Sequence, residues 1–263
     1  MRLGVAVATY AFDNAAEQAG GRFAALEKCY DPVSTARLEA LGVGPGWHCL
    51  EVGGGGGSIG RWLAERTGPE GRVLITDLDP RWVRNGGGAE VIVHDLRTDP
   101  LPENAFDLVH ARLVLIHLPE RLAALDKLVR SLRPGGVLVL DEFDLPLIQV
   151  LRAPDEAAVA LFTKVHNAMI HAVRGRGADP MWGSRAYGAL VDAGLGDVRS
   201  LTHAESWTGG SPGCDLHRVN VEQVRDQMTE VTDDELAAFW ALLRDPGFAV
   251  ASYPLITTWG HRA

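Results

Sequence analysis

The sequence predicts an α/β fold, in which a doubly wound, mostly parallel sheet carries helices on both faces. Apolar strand segments alternate with helical segments from His48 to Leu140. Five consecutive glycines, Gly53–Gly57, follow the first strand, and a proline–glycine turn, Arg133–Gly136, precedes the fifth. Because consecutive parallel strands are joined by right-handed helical crossovers, this alternation indicates a parallel sheet.

The segment before the first strand is predicted to be helical. Residues 11–42 carry apolar side chains at intermittent helical intervals. Gly42–Gly46 contains a proline and ends this helix. We therefore predict an N-terminal helical cap over residues 1–46, followed by a core domain over residues 47–263.

Short apolar runs mark the core strands, and amphipathic segments lie between them. The last of these helices ends at the proline and glycines that follow Arg133, since both residue types are common beyond a helix C-terminus. The predicted strands are His48–Val52, Val73–Asp77, Val91–His94, Phe106–His110 and Val137–Leu140, and the predicted helices are Ser58–Arg66, Arg81–Asn85 and Pro119–Leu132.

Longer helical stretches interrupt the alternation after the fifth strand. They indicate two insertions into the core, at about residues 143–182 and 207–246. The predicted helices of this half are 154–174, Ser184–Ala193, 218–229 and 233–244, and the late strands are Val198–Ser206 and Ala249–Thr258.

Composition argues against several classes of protein. The chain has 263 residues and a net charge of −9, and its scattered Lys and Arg do not suit a nucleic-acid partner. Cys29, Cys49 and Cys214 match no disulfide framework or zinc spacing. The apolar stretch after Arg2 is shorter than a secretory signal, and no segment approaches membrane-spanning length. We expect a cytoplasmic protein with no membrane partner.

The glycine run after the first strand is the most informative segment. Glycine has no Cβ, so a ligand can press against bare backbone there. The helix that follows presents unpaired N–H groups and the positive end of its dipole. Glu51 adds an acceptor at the carboxyl end of the strand. Together these features predict a nucleotide-type cofactor site.

Two general patterns fit this run. A Gly-x-Gly-x-x-Gly spacing begins at Gly55, and Asp77 lies near the offset of a ribose-binding acid, as in dinucleotide-binding proteins. The spacing around Ser58 also matches the nucleophile elbow of α/β-hydrolases. The elbow is the weaker interpretation, because its serine should follow a mid-sheet strand rather than the first one.

Motifs in register from Glu51 to Gly136 resemble the S-adenosylmethionine-binding core of class I methyltransferases, of the bacterial small-molecule or natural-product type. The pattern of nicotinamide-dependent enzymes accounts for the glycines and Asp77. It does not account for Glu51, for Asp95 after the third strand or for the Pro-Gly-Gly turn, so the methyltransferase interpretation is favoured. The matching motifs are Glu51-x-Gly53-x-Gly55-x-Gly57, Val73–Asp77, His94-Asp95-Leu96, Phe106–Arg112 with His117-Leu118-Pro119 after it, and Leu132–Gly136.

The resemblance implies S-adenosylmethionine as cofactor and a Rossmann-like, seven-stranded sheet whose last strand is antiparallel. It implies that Asp77 accepts from the ribose hydroxyls and Asp95 from the adenine amino group. Glu51 and Arg112 would serve the ammonium and the carboxylate of the methionine end. The expected cofactor-binding residues are Glu51, Gly53, Gly55, Gly57, Asp77, Asp95, Leu96 and Arg112.

The sequence specifies the catalytic residue less well. His110 and His117 bracket the loop after the fourth strand, and His117 matches a histidine found there in related methyltransferases. We take His117 as the candidate catalytic residue. Asp141, Glu142 and Asp144 are similar to the acids of metal-dependent catechol methyltransferases, but the partner acid–Asn pattern is missing. We therefore expect no metal.

Related small-molecule methyltransferases use insertions at these positions as lids over the acceptor. Aromatic residues such as Trp182 and Trp207 could line an apolar pocket there, and Tyr10 and Arg22 are candidates to close over the cofactor. We expect methyl transfer to a small, largely apolar acceptor, with oxygen favoured over nitrogen or carbon. The alternatives are a non-methyl reaction such as cyclisation, or an NAD(P)-dependent oxidoreductase. A homodimer is compatible with the sequence.

Overall fold

A computed structural model describes residues 19–83 and 87–263. Its strands are β1 (His48–Val52), β2 (Arg72–Asp77), β3 (Glu90–Val93), β4 (Phe106–Arg112), β5 (Leu132–Phe143), β6 (Val150–Arg152), β7 (Gly196–His203), β8 (Ser206–Thr208), β9 (Ala249–Ala251) and β10 (Leu255–His261). Its helices are α1 (Ala19–Ala40), α2 (Ser58–Thr67), α3 (Arg121–Ser131), α4 (Glu156–Gly175), α5 (Trp182–Asp192), α6 (Pro212–Val224) and α7 (Asp233–Leu242).

The central sheet of the described chain has seven strands in the order β3-β2-β1-β4-β5-β10-β7. The first five are parallel to one another, and β10 runs antiparallel between β5 and β7. The predicted mostly parallel sheet with an antiparallel last strand is therefore confirmed. The strand order reverses between β1 and β4, and the crevice at such a point is where open α/β sheets bind ligands.

The central strands β1, β4 and β5 are buried on both faces, which explains their continuous apolar runs. Successive residues of β5 enter opposite cores: Leu138 and Leu140 pack with one cluster, and Val137 and Val139 with the other. Leu50 and Leu108, on β1 and β4, are fully buried. The carboxyl ends of these strands are therefore held in place from both sides.

Helix α1 covers the carboxyl ends of the central strands. The hydroxyl of Tyr30 donates to the carbonyl of Tyr253 at 2.8 Å, and Ser34 donates to Asp141 on β5 at 2.5 Å. The predicted cap over residues 1–46 lies partly outside the described residues, and so does Tyr10.

Two late strands differ from their predicted bounds. The strand predicted over Ala249–Thr258 is divided into β9 and β10, because Pro254 has no N–H to donate to a strand ladder. The strand predicted over Val198–Ser206 corresponds to β7 and the start of β8. β6, β9 and β8 form a small antiparallel sheet that the sequence did not reveal.

Two helices also begin differently from their predictions. α6 starts at Pro212, earlier than the predicted residue 218, because Ser211 caps it by accepting from the N–H of Cys214. The helix predicted over Arg81–Asn85 is a short 3₁₀ turn over Pro80–Trp82, and the end of that prediction lies outside the described residues. No helix within residues 19–83 and 87–263 has the length and apolar character needed to cross a membrane.

Candidate active site

The glycine loop between β1 and α2 is shaped by backbone angles that other residues rarely adopt. Gly53, Gly55 and Gly57 have φ values of 67°, 52° and 84°. A Cβ at Gly56 would lie 2.1 Å from the Oε1 atom of Glu27. The run is therefore required both for the turn and for the close approach of α1.

A first cavity lies beside this loop at the carboxyl ends of β1, β2 and β4, and about 910 Å³ of empty space, open solvent included, lies between its walls. Seven of the eight predicted cofactor-binding residues line it. Gly57 is the exception and instead forms the left-handed N-cap of α2. The lining residues from the prediction are Glu51, Gly53, Gly55, Asp77, Asp95, Leu96 and Arg112, and those contributed by α1 are Arg22, Phe23, Leu26 and Glu27.

Asp77 is buried at the end of β2. Its Oδ2 accepts from the N–H of Gly55 and its Oδ1 from the N–H of Asp79, both at 2.9 Å. Burial raises the pKa of this carboxyl, although the backbone bonds oppose the rise. The two bonds fix a carboxylate on the cavity wall, as a receptor for hydroxyl groups requires.

Asp95 and Leu96 form a braced turn after β3. The Arg97 guanidinium hydrogen-bonds to Asp95 at 2.8 Å and holds the pKa of that carboxyl below its usual value. Lys127 donates to the carbonyls of Leu96 and Asp99 at 2.6 and 2.7 Å. Asp95 is therefore an ionised acceptor on a rigid segment.

His110 connects Glu51 to Asp141 beneath the cavity. Its Nδ1 lies 2.6 Å from Glu51 Oε2, and its Nε2 lies 3.3 Å from Asp141 Oδ2. Burial alone would lower the pKa of His110, but the two carboxylates raise it to about 9. The ring is therefore an imidazolium that orients Glu51, and it does not line the cavity.

Arg112 is held by α1. Its guanidinium donates to Asp31 at 2.8 Å and to Ser34 at 3.3 Å. Asp107, which lies at the amino end of β4, pairs with Arg133 at 2.8 Å and not with Arg112. The partners on α1 are some 80 residues away along the chain, and no local pattern indicated them.

A second, smaller cavity adjoins the first, and about 350 Å³ of empty space, open solvent included, lies between its walls. The two cavities share Arg22, Leu26 and Leu113. The other residues that line the second cavity come from the loop after β4, the end of β5, and helices α4 and α6: Ile116, His117, Phe143, Leu145, Met169 and Asn220. Its wall is mostly apolar, as in sites for small organic molecules.

His117 is the titratable group on the wall of the second cavity. It is buried in a short 3₁₀ turn, Leu115–His117. Burial holds the pKa of His117 well below its usual value, and the positive charges of Arg22 and Arg121 add to the effect. The imidazole is therefore neutral near neutral pH.

The predicted lid aromatics Trp182 and Trp207 are buried in the core and do not line the second cavity. The Phe162 ring lies against His217, Phe239 and Phe248, with centroids 5.3 to 5.7 Å apart. Met169, on α4, does line the second cavity.

The three acids at the end of β5 serve separate partners. Asp141 binds His110, Ser34 and Thr257, whereas Asp144 accepts from Ser184. Glu142 accepts from the N–H of Leu115 at 2.9 Å, and burial raises its pKa to about 8. Among the residues that the structure describes, no group of three His, Cys, Asp or Glu side chains could hold a metal ion.

Comparison with known proteins finds a methyltransferase domain over part of the chain. Residues 50–140 match the model of a methyltransferase domain. The ubiquinone/menaquinone biosynthesis C-methyltransferase UbiE of Ectopseudomonas mendocina is 31% identical over 119 residues, which cover 41% of this chain and 46% of that protein. UbiE of Bordetella avium is 35% identical over 109 residues, 38% of this chain and 43% of that protein. The chain spans about half the length of the curated relatives it matches.

Solved structures share the fold at low sequence identity. The BH2331 protein of Bacillus halodurans has a TM-score of 0.57 and 17% identity, covering 86% of this chain and 97% of that one. Haemonchus contortus phosphoethanolamine N-methyltransferase 2, in complex with S-adenosyl-L-methionine, has a TM-score of 0.57 and 12% identity, covering 95% of this chain and 59% of that one.

Residues 50–140 match a methyltransferase domain, and the fold and the motifs in register are those of the class I, S-adenosylmethionine-dependent type. Within this class, the matched segment is similar in sequence to the UbiE methyltransferases. The predicted resemblance to class I methyltransferases and the predicted cofactor, S-adenosylmethionine, are confirmed for the matched segment.

Proposed function

We propose that this protein transfers a methyl group from S-adenosylmethionine, bound in the first cavity, to a small, largely apolar acceptor in the second. The observation that carries the proposal is the wall common to the two cavities, formed by Arg22, Leu26 and Leu113. Methyl transfer is a displacement at carbon, so donor and acceptor must meet in line across a short distance.

The residues of the first cavity suit S-adenosylmethionine. Asp77 would hold the ribose hydroxyls, and Asp95 with the backbone of Leu96 would hold the adenine. Glu51 and Arg112, of opposite charge, would serve the ammonium and carboxylate of the methionine end. The bare backbone of the glycine loop leaves room for close approach. The bound cofactor supplies a methyl group on a positively charged sulfur.

The second cavity supplies positioning, exclusion of water and a base. Its apolar wall would exclude water from the reacting atoms. His117 is neutral and buried, so it would take the proton of an acceptor hydroxyl as the new bond forms. A base in this place supports oxygen as the methylated atom over nitrogen or carbon, although the UbiE relatives are C-methyltransferases by name.

We also propose that the segments around the core act as lids over the acceptor. These are the cap over residues 1–46 and the insertions at about 143–182 and 207–246. In support, α1, α4 and α6 contribute Arg22, Met169 and Asn220 to the second cavity. A cytoplasmic location, a role in natural-product biosynthesis, the absence of a nucleic-acid partner and a homodimer stay predictions from the sequence.

The test has two stages. Calorimetric titration with S-adenosylhomocysteine should show binding, and titration with NADH should not. The protein is then incubated with S-adenosylmethionine and a panel of phenols, amines and activated methylene compounds. Mass spectrometry should detect S-adenosylhomocysteine together with a methylated phenol. Binding of NADH alone would overturn the proposal, and turnover of an acceptor without S-adenosylhomocysteine would favour a non-methyl reaction.

A further inference from the structure

Asn220 brings an unpaired polar atom to the wall of the second cavity. It lies on α6, it is only 6% exposed, and it lines that cavity. Its Oδ1 is buried and has no hydrogen-bond partner among the described residues. Because buried carbonyl oxygens in folded proteins nearly always accept a hydrogen bond, this atom calls for a donor from a ligand.

Tyr253 lies on the other side of the same amide. Burial raises the pKa of the Tyr253 hydroxyl, and the neighbouring Asn220 amide opposes that rise. A group that stabilises a phenolate does so with its N–H, so the N–H side of the amide faces Tyr253. Tyr253 is itself fully buried, and its ring stacks on Phe143, a residue of the cavity wall, with centroids 5.2 Å apart. The amide therefore has a fixed neighbour on its N–H side, and Oδ1 is the atom left for a ligand.

The rest of the wall decides which kind of donor fits. Arg22 and His117 already interact with other groups of the protein, and the remaining lining residues are apolar. No carboxylate belongs to the described residues that line the second cavity, whereas Arg22 places a positive charge there. An ammonium group would lose its water there without gaining a counter-ion, so a neutral O–H or N–H suits this wall better.

We propose that the acceptor carries a second polar group, a neutral hydroxyl or amide N–H, that donates to Asn220 Oδ1. This inference rests on the proposed function, in which another oxygen of the same molecule is methylated. Asn220 selects the acceptor by this hydrogen bond, while the apolar side chains of the wall pack against its carbon skeleton. The acceptor is thus a small, mostly apolar compound with two hydroxyl groups, or with one hydroxyl and one amide.

NMR titrations of the full chain, saturated with S-adenosylhomocysteine, test the inference with small phenols. Resorcinol and hydroquinone carry two hydroxyls, whereas phenol, 3-methoxyphenol and 4-methoxyphenol carry one. We expect at least one of the diols to bind about threefold to tenfold more tightly than phenol and than its own methyl ether. Because phenol is smaller than the diol and the ether is larger, size alone cannot produce that order. Equal affinities for diols and single-hydroxyl probes, or binding of no probe, would overturn the inference.

Variants locate the contact. In Asn220→Leu the preference for the diol should disappear, because the accepting oxygen is gone. Gln223→Leu is the matched control, since Gln223 lies on the same helix, has buried amide atoms without a partner in the described part of the chain, and lines neither cavity. This control should keep the full preference. A preference that survives in Asn220→Leu, or that both variants lose, would overturn the inference.

The charge of the donor is tested with 3-(aminomethyl)phenol, whose amine is protonated at neutral pH. This probe should bind the unmodified protein no more tightly than phenol does, because no carboxylate of the described wall can pair with it. Binding tighter than that of the diols would overturn the inference of a neutral donor. If S-adenosylhomocysteine fails to bind the unmodified protein, the proposed function has failed. If it binds and the diols show no preference, this inference alone has failed.

Discussion

His110 and Glu51 form an ion pair beneath the glycine loop, with His110 Nδ1 and Glu51 Oε2 2.6 Å apart and both side chains buried. Asp141 occupies the other side of the imidazole, and Ser34 and Thr257 donate to Asp141 in turn. Glu51, His110 and Asp141 together join β1, β4 and β5 at the carboxyl end of the sheet, where the first cavity opens. The ion pair fixes the orientation of Glu51, so a residue outside the cavity determines the shape of its wall.

Removing the imidazole should destabilise the protein. His110→Leu leaves two carboxylates buried without their counter-ion, and loss of one partner of a buried ion pair typically costs about 3–5 kcal/mol. Urea denaturation gives the free energy of unfolding. His203→Leu is the control, because His203 is a partly exposed residue of the edge strand β7. Equal stability of the two variants would contradict the role given to His110.

The same pair predicts a pH dependence of stability. The pKa of His110 is raised from 6.5 to about 9 in the folded protein. A raised folded pKa contributes stability that is fully present below the unfolded pKa and is lost as the pH rises through the folded value. The free energy of unfolding should therefore fall between about pH 6.5 and 9. His110→Gln should lack this fall, and a fall of the same size in that variant would contradict the assignment.

Asp77→Ala should weaken binding of S-adenosylhomocysteine by about a hundredfold, because the ribose would lose two charge-assisted hydrogen bonds. Calorimetric titration measures this effect, and far-UV circular dichroism checks that the fold is intact. Asp79→Ala is a matched control on the same loop, since Asp79 lines neither cavity and pairs with Arg81 at 2.7 Å. Unchanged affinity in a folded Asp77→Ala protein would rule out the assigned role.

The first cavity was predictable from sequence because its residues sit at fixed places in local motifs. The glycine turn needs positive φ angles that few other residues adopt, so its position was visible without a structure. Asp77 and Asp95 each follow a recognisable strand. Because parallel strands align their carboxyl ends, these residues were expected to meet at one edge of the sheet.

Contacts with α1 were not predictable in the same way. The bond between Arg112 and Asp31 joins residues 81 positions apart, and neither end belongs to a motif that implies the other. The second cavity depends on how α4 and α6 pack on the core, so its lining could not be read from helical periodicity alone. His117 was the exception, since it lies in the short loop that follows β4.

His117→Gln should lower kcat with an active acceptor by about a hundredfold or more, because the base for the acceptor proton is lost. Binding of S-adenosylhomocysteine should stay unchanged, since His117 lines the second cavity and not the first. Because the pKa of His117 lies well below its usual value, the unmodified enzyme should keep its activity as the pH falls through about 6.5. A loss of kcat/KM centred there would contradict His117 as the base.

Asn220→Leu should stabilise the protein and at the same time weaken binding of the acceptor. The Asn220 side chain lines the second cavity, and its buried Oδ1 has no hydrogen-bond partner among the described residues. Leaving such an atom unpaired costs about 1–3 kcal/mol, so an apolar residue of similar size should raise the free energy of unfolding by about 1 kcal/mol. The KM for the acceptor should rise, because a polar contact to it is lost.

Gln223→Leu provides the matched control for that variant. Gln223 lies on the same helix, and its buried amide atoms also have no partner within the described part of the chain, but it lines neither cavity. This variant should gain similar stability in urea denaturation while its KM for the acceptor stays unchanged. A rise in KM common to both variants would mean that α6 had shifted. A rise confined to Asn220→Leu would assign the polar contact to the acceptor, because stability changes alike in the two proteins.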